Sequence, residues 1–138
     1  MKLVRDELHV SARAPGLHDV TREVQGAVAK SGIREGLCTV FVRHTSASLC
    51  IQENADPAVL RDLQKFLARI APEDADYEHD AEGPDDMPAH IRAAITRTSE
   101  TIPIERGELA LGTWQALYLW EHRRARHERT LLLTMIGE

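Results

Sequence analysis

Apolar and polar positions change their period several times along the chain, and each change marks an element. The opening stretch MKLVRDELHVSA alternates aliphatic with charged or polar side chains, the signature of a strand with one buried face. LHDVTREVQGAVAKSG instead puts Val20, Val24, Ala27 and Val28 on one helical face, with Gly32 closing the helix. GLCTVFVRH is nearly all apolar and β-branched, which suits a strand covered on both sides, and SLCIQE continues as an extended segment. Asp56-Pro57 supplies a capping side chain and a proline at the first helical position. Leu60, Leu63, Leu67 and Ile70 then form the expected buried face, and Pro72 ends the helix. EDADYEHDAEGPDDMP has no periodicity and reads as a long acidic loop, and AHIRAAITRTS returns to helix. ETIPI, ELALG, TWQALYLWEH and RTLLLTMIG are strand-like, separated by Gly107 and by the basic run EHRRARHER.

Strands with a few helices segregated between them indicate an α+β fold: an antiparallel β-sheet sandwich with two or three helices. A length of 138 residues allows one hydrophobic core, so residues 1–138 are expected to form a single domain. A net charge of -5 argues against a nucleic-acid partner, and the basic run is expected to be a solvated hairpin. The apolar runs are strand-sized, which argues against a membrane partner, and the N-terminus lacks the apolar core of a secretion signal, which leaves the cytoplasm as the expected location. Cys38 and Cys50 sit among apolar neighbours and read as buried free thiols.

Seven histidines provide the first candidate chemistry. His9, His18, His122 and His127 fall at strand edges, a helix entrance or the basic run, where exposure accounts for them. His44, His79 and His90 lie at element ends or in the acidic loop beside small polar and acidic residues, where ligands are commonly delivered. Their spacing matches no standard zinc motif, so a shared site and three unrelated surface histidines both remain open. Alternation through TWQALYLWEH sets Gln115, Leu117, Leu119 and Glu121 on one face and Trp114, Ala116, Tyr118, Trp120 and His122 on the other. Glu121 among leucines must be paired, bound to a metal or shifted in pKa; the simplest partner is an arginine of RRAR. Asp85 or Asp86 is placed to cap the helix carrying His90, and Asp56 caps the preceding one, leaving Asn54 unassigned. No phosphate-binding glycine loop or nucleophile turn is present, and Ser46 and Ser48 are too close in sequence to His44 for a hydrolytic pair.

The motifs HTSASL, ENADP, MPAHI, IPI and LGTWQ, with YLWEHR after the last, occur in order over nearly the whole chain and strongly resemble the YjbQ-like family. The resemblance implies an antiparallel-sheet domain assembled as a homotrimer, and an activity described as secondary thiamine-phosphate synthase, which joins a pyrimidine diphosphate to a thiazole phosphate. A trimer also suits TLLLTMIG and TWQALYLW, whose apolar surface exceeds what one small domain covers. Carried over by motif, His44, His79 and His90 become the family's marked histidines. The implied pocket adds Thr45, Ser46, Asn54, Asp86, Thr113, Gln115 and Glu121. Three neutral imidazoles would then hold a divalent cation, zinc or magnesium, oriented by Glu121 or Asp86, with Asn54 and Gln115 beside the reacting groups and Thr45, Ser46 and Thr113 contacting a small phosphorylated metabolite. Asp85-Asp86 stands where relatives resembling this chain carry Asp-Asn, a change that favours a cation over a bare phosphate. The alternatives are a metal-dependent phosphoester hydrolase and a non-catalytic trimer that binds a phosphorylated metabolite.

Overall fold

The computed structural model describes residues 1–138. In chain order the elements are β1 (Lys2–Ala12), β2 (Gly16–Asp19), α1 (Thr21–Ser31), β3 (Gly36–Val42), β4 (Ala47–Glu53), α2 (Pro57–Ile70), α3 (Asp86–Ile95), β5 (Ser99–Glu105), β6 (Glu108–Leu109), β7 (Gln115–Glu121) and β8 (His127–Gly137). They form two antiparallel sheets, one of order β1-β8-β3-β5-β6 and one of order β2-β7-β4, with three helices. The α+β sandwich read from the sequence is therefore present.

One core lies between the sheets. Val40, Leu131, Leu133 and Met135 point into it from the larger sheet, Leu49, Leu117 and Leu119 from the smaller, and Val24 and Val28 of α1 close one end. Each such aliphatic side chain contributes about 1.5–3 kcal/mol by leaving water. Burial alternates strictly along β8 from Arg129 to Met135, so the run that looked uniformly apolar has one face inward and one outward. In β7, Ala116 through Glu121 are all buried because helices cover the second face: Trp120 Nε1 donates to Gln64 Oε1 of α2 at 2.7 Å. Gly36 and Gly137 pair across β3 and β8, and a Cβ on either would meet opposing backbone at 2.1 Å. Glycine is what lets these strands meet there.

Several details differ from the sequence reading. GLHD is not the helix entrance but the edge strand β2 on β7, and Asp19 Oδ1 accepts from Thr21 N at 2.9 Å as α1 begins. Asp56 caps α2 through the Ala58 amide at 2.9 Å, as expected. The expected buried face of that helix is only partly covered: Leu67 is buried, Leu60 and Leu63 are half-buried, and Ile70 is exposed, because the helix overhangs the short strand β2. Helix α3 starts at Asp86, before the Ala89 start that the pattern suggested, and no side chain caps it. Both aspartates are committed elsewhere. No helix is long and apolar enough to cross a membrane.

Candidate metal centre

Helix α3 builds the candidate site with the acidic loop before it and the chain after β7. One helical turn separates Asp86 from His90, so both present to the same side. Asp86 Oδ2 lies 2.6 Å from His79 Nε2 and 3.2 Å from His90 Nε2, and the two imidazoles meet edge to face at 5.3 Å. Glu82 flanks His79 at 3.3 Å. On the far side of the carboxylate, Arg123 Nη1 donates to Asp86 Oδ1 at 2.7 Å while its Nε donates to Asp85 Oδ2 at 3.0 Å and its Nη2 to the Glu82 carbonyl at 3.0 Å. Arg123 thus ties the loop, the helix start and the end of β7 together.

The electrostatics follow from this geometry. Burial works to raise the Asp86 pKa, but hydrogen bonds from its neighbours and the nearby His90 and Arg123 charges outweigh it and leave the carboxyl below its usual value. The hydrogen bond with Asp86 raises the His79 pKa. His90 Nδ1 lies 3.0 Å from the Thr45 carbonyl, which can only accept, so that nitrogen carries a hydrogen. A neutral His90 then turns the Nε2 lone pair toward an ionised Asp86 oxygen. A proton or a bound cation must lie between them. The backbone carbonyl behind His90 is the kind of partner that fixes the tautomer of a metal-binding imidazole.

The ligand atoms of His79, Asp86 and His90 all lie within 4.8 Å of one another. His44 does not join them. Its Nε2 accepts from the Thr130 amide at 2.8 Å, and its ring shares with His90 a neighbouring cavity of about 240 Å³ lined by Thr45, Ala93, Ala94 and Thr98. Burial, chiefly, and then the Arg129 charge lower its pKa. In place of the three-imidazole set read from the sequence, this chain assembles two imidazoles and a carboxylate, because His44 is held by β8.

Of the other expected pocket residues, Thr45 meets the cluster through its carbonyl on His90, and the rest form no hydrogen bond with its ligand atoms. Glu121 is fully buried, and Arg129 grips it through Nε at 2.7 Å and through Nη2, while the amides of His122 and Arg123 donate to it at 3.0 Å. It is a paired structural carboxylate, and its partner is Arg129 rather than an arginine of RRAR. Ser46 accepts from Arg129 Nη2 through its carbonyl and its Oγ, inside the same network. Asn54 donates to the carbonyls of Thr113 and Gln115, and Gln115 Oε1 accepts from the Gly112 amide, which locks the entry to β7. Because Glu53 pairs Gln115 and Ala47 pairs Glu121, these residues lie at the opposite end of the β4–β7 ladder, roughly 20 Å away at ~3.3 Å per residue.

Two further residues depart from the reading of exposed positions. His122 is 2% exposed, with Nε2 2.9 Å from Ser48 Oγ, and burial drives its pKa to about 3. Arg129 is 3% exposed. The basic run is therefore not simply a solvated hairpin: its ends and Arg123 are structural. The signal was present in the alternation, which put His122 beside Trp120 and Arg129 in phase with Leu131 and Leu133.

Residues 6–138 match the family model described as UPF0047 protein YjbQ-like. The chain is 55% identical over 132 residues to UPF0047 protein sll1880 of Synechocystis, covering 95% of this chain and 90% of that one. It is 41% identical to UPF0047 protein YjbQ of Escherichia coli O157:H7, covering 95% and 96%. Among solved structures, a YbjQ-like protein from Sulfolobus solfataricus superposes with a TM-score of 0.90 at 30% identity over 99% of both chains. A yjbq/upf0047-family protein from Clostridium acetobutylicum gives 0.84 at 38% identity over 96% of this chain and 99% of that one. The chain belongs to the YjbQ-like UPF0047 family.

Proposed function

We propose that His79, Asp86 and His90 hold a divalent metal ion and that the protein acts on a phosphorylated small molecule. One observation carries the reading: the Thr45 carbonyl fixes the hydrogen on His90 Nδ1 and leaves Nε2 facing the Asp86 carboxylate, an arrangement a cation completes. The donor set fits the group. Two imidazoles with one carboxylate suit zinc, whereas magnesium takes oxygen ligands and keeps its waters. When bound, the ion would supply positive charge to a phosphate oxygen and acidify a water. Asp86 is held ionised and aimed by Arg123, and His90 is aimed by Thr45, so the chain's own residues pre-orient the site. To serve as ligands, His79 Nε2 and Asp86 Oδ2 would have to be free of any hydrogen between them.

The resemblance read in the sequence motifs leads to the expectation of transfer, the joining of a pyrimidine diphosphate to a thiazole phosphate. Exposure favours a second reading, phosphoester hydrolysis: the side chains of His79 and His90 are 46% and 31% exposed, so water reaches the centre of a single chain. Transfer needs a drier site. A homotrimer, which the family resemblance implies, is one source of cover. The outer face of the five-stranded sheet carries no helix, and Leu3, Leu37, Phe41 and Ile136 stand exposed on it.

Metal analysis of purified protein tests the centre. Stoichiometric zinc in the wild type, lost in His90→Ala and Asp86→Asn and kept in His44→Ala, is the expected result. Equal and negligible metal in all four overturns it. Turnover of a simple phosphoester without a pyrimidine substrate separates hydrolysis from transfer, and binding of a phosphorylated metabolite by metal-loaded protein with no turnover indicates the non-catalytic alternative.

A further inference from the structure

A second polar cavity lies on a neighbouring side of α3, where Asp85, Pro88 and Arg92 follow one another at helical spacing. It offers about 180 Å³, and apart from the rings of Pro15 and Pro88 its lining side chains are polar or charged. Two of its lining residues carry buried side-chain nitrogens without any hydrogen-bond partner, Arg92 Nε and His122 Nδ1. Buried polar atoms are paired in the great majority of cases, and leaving one unpaired costs about 1–3 kcal/mol. Both nitrogens belong to residues that line the cavity, and two unpaired atoms so placed indicate a missing partner.

The charges around the cavity define that partner. Its two carboxylates are already neutralised: Glu73 is ion-paired to Arg124, and Asp85 accepts from Arg123 Nε and the Arg124 amide. Arg92 makes one bond, from Nη2 to the Ala71 carbonyl at 3.0 Å, and has no carboxylate partner. Gln64 presents its amide beside them, because its Oε1 is occupied by Trp120. The free groups are thus the Arg92 Nε–H and the Gln64 NH2, joined by His122, whose Nδ1 serves as a donor when it carries the ring hydrogen. A volume of 180 Å³ far exceeds the roughly 10–15 Å³ that admits one water, yet falls below the ~300 Å³ at which pockets for whole drug-sized ligands begin.

We propose that this cavity binds an oxyanion, the phosphate or carboxylate group of a small metabolite, through the Arg92 Nε–H with Gln64 and His122 beside it. The site is separate from the histidine cluster, although both are built on α3, and it does not depend on a metal there.

The test is titration of the intact, metal-depleted protein with inorganic phosphate and, separately, acetate, following the Arg92 Nε–H resonance by 15N NMR. The peak is assigned by its disappearance in Arg92→Lys, a variant that keeps the positive charge. The expected result is saturable movement with one of the two ions, which identifies the preferred group, and about a tenfold or greater loss of affinity in Arg92→Lys, measured by thermal shift, the factor expected for losing a charge-assisted hydrogen bond. His90→Ala should leave the response intact. A resonance that ignores both ions to high millimolar concentration, an undiminished response in Arg92→Lys, or its loss in His90→Ala overturns the proposal. A crystal grown in whichever ion moves the resonance that shows only water between Arg92 Nε and His122 Nδ1 does so as well.

Discussion

Replacing Arg129 with Met tests whether Glu121 holds the fold together or takes part in chemistry. Arg129 is 3% exposed and Glu121 fully buried, and two of the four hydrogen bonds reaching the carboxylate come from the guanidinium. The single substitution leaves an ionised carboxylate with two backbone amides and no counter-charge, and removing one partner of a buried pair costs about 3–5 kcal/mol. Ser46 loses its bonds to Arg129 in the same step. Against a typical total of about 5–15 kcal/mol, that loss is large enough to read as a shifted urea midpoint. Glu121→Gln should be destabilising as well, because it leaves the buried guanidinium without a counter-charge and turns an amide NH2 toward the Arg129 Nε–H. The double variant Glu121→Leu with Arg129→Met should recover most of the stability lost in Arg129→Met, since it removes both charges from the core. A midpoint for Arg129→Met within about 1 kcal/mol of wild type refutes the reasoning, as does a double variant less stable than Arg129→Met.

His122 predicts an acid dependence. Its folded pKa of about 3 lies below the unfolded value near 6.5, so the unfolded chain takes up the proton first. The contribution is whole above pH 6.5 and is lost as pH falls toward 3, up to about 4–5 kcal/mol at 1.36 kcal/mol per unit. A stability-against-pH curve for His122→Gln should be correspondingly flatter over that window, and an unchanged slope contradicts the burial argument. Gly36→Ala should be severely destabilising, because its Cβ would strike the backbone of β8 at 2.1 Å; thermal melting of that variant near the wild-type midpoint would show that the strands can separate without loss. Asp56→Ala should lose about 1 kcal/mol through the α2 cap, read by chemical denaturation. Light scattering should give a trimer mass that falls to a single chain in Phe41→Asp, while a monomeric wild type removes the case for assembly.

What could be read from sequence follows the range of each interaction. Strands, helices and the Asp56 cap depend on neighbours within a few residues, and they emerged close to their observed positions. Strand order did not, because the ladders joining β4 to β7 and β1 to β8 link segments far apart in the chain. The candidate centre divides in the same way. Asp86 and His90 are four residues apart, and that spacing would have placed them on one helical side had the helix been started at Asp86 rather than at Ala89. The proline at 88, suited to the first turn of a helix, was the available cue. Arg123 could not be placed by any local rule, but the sequence holds one long acidic loop and one basic run, and their opposite charges are what the fold brings together.

The positions of Glu121 and Arg129 show where pattern reading stops. Parity along β7 put Glu121 among leucines, and parity along β8 puts Arg129 in phase with Leu131 and Leu133. Each strand alone therefore indicates a charge pointing into the core, an arrangement that is tolerable only if the two meet. They belong to different sheets, so the meeting requires that the sheets face each other across one core. Once the strands are assigned to their sheets, the buried pair is one of the contacts that tie the two layers of the sandwich together. It also separates structure from chemistry. A carboxylate whose oxygens are occupied by four protein donors has little capacity left for a ligand, whereas Asp86 faces two imidazole nitrogens through one oxygen and is held by Arg123 through the other.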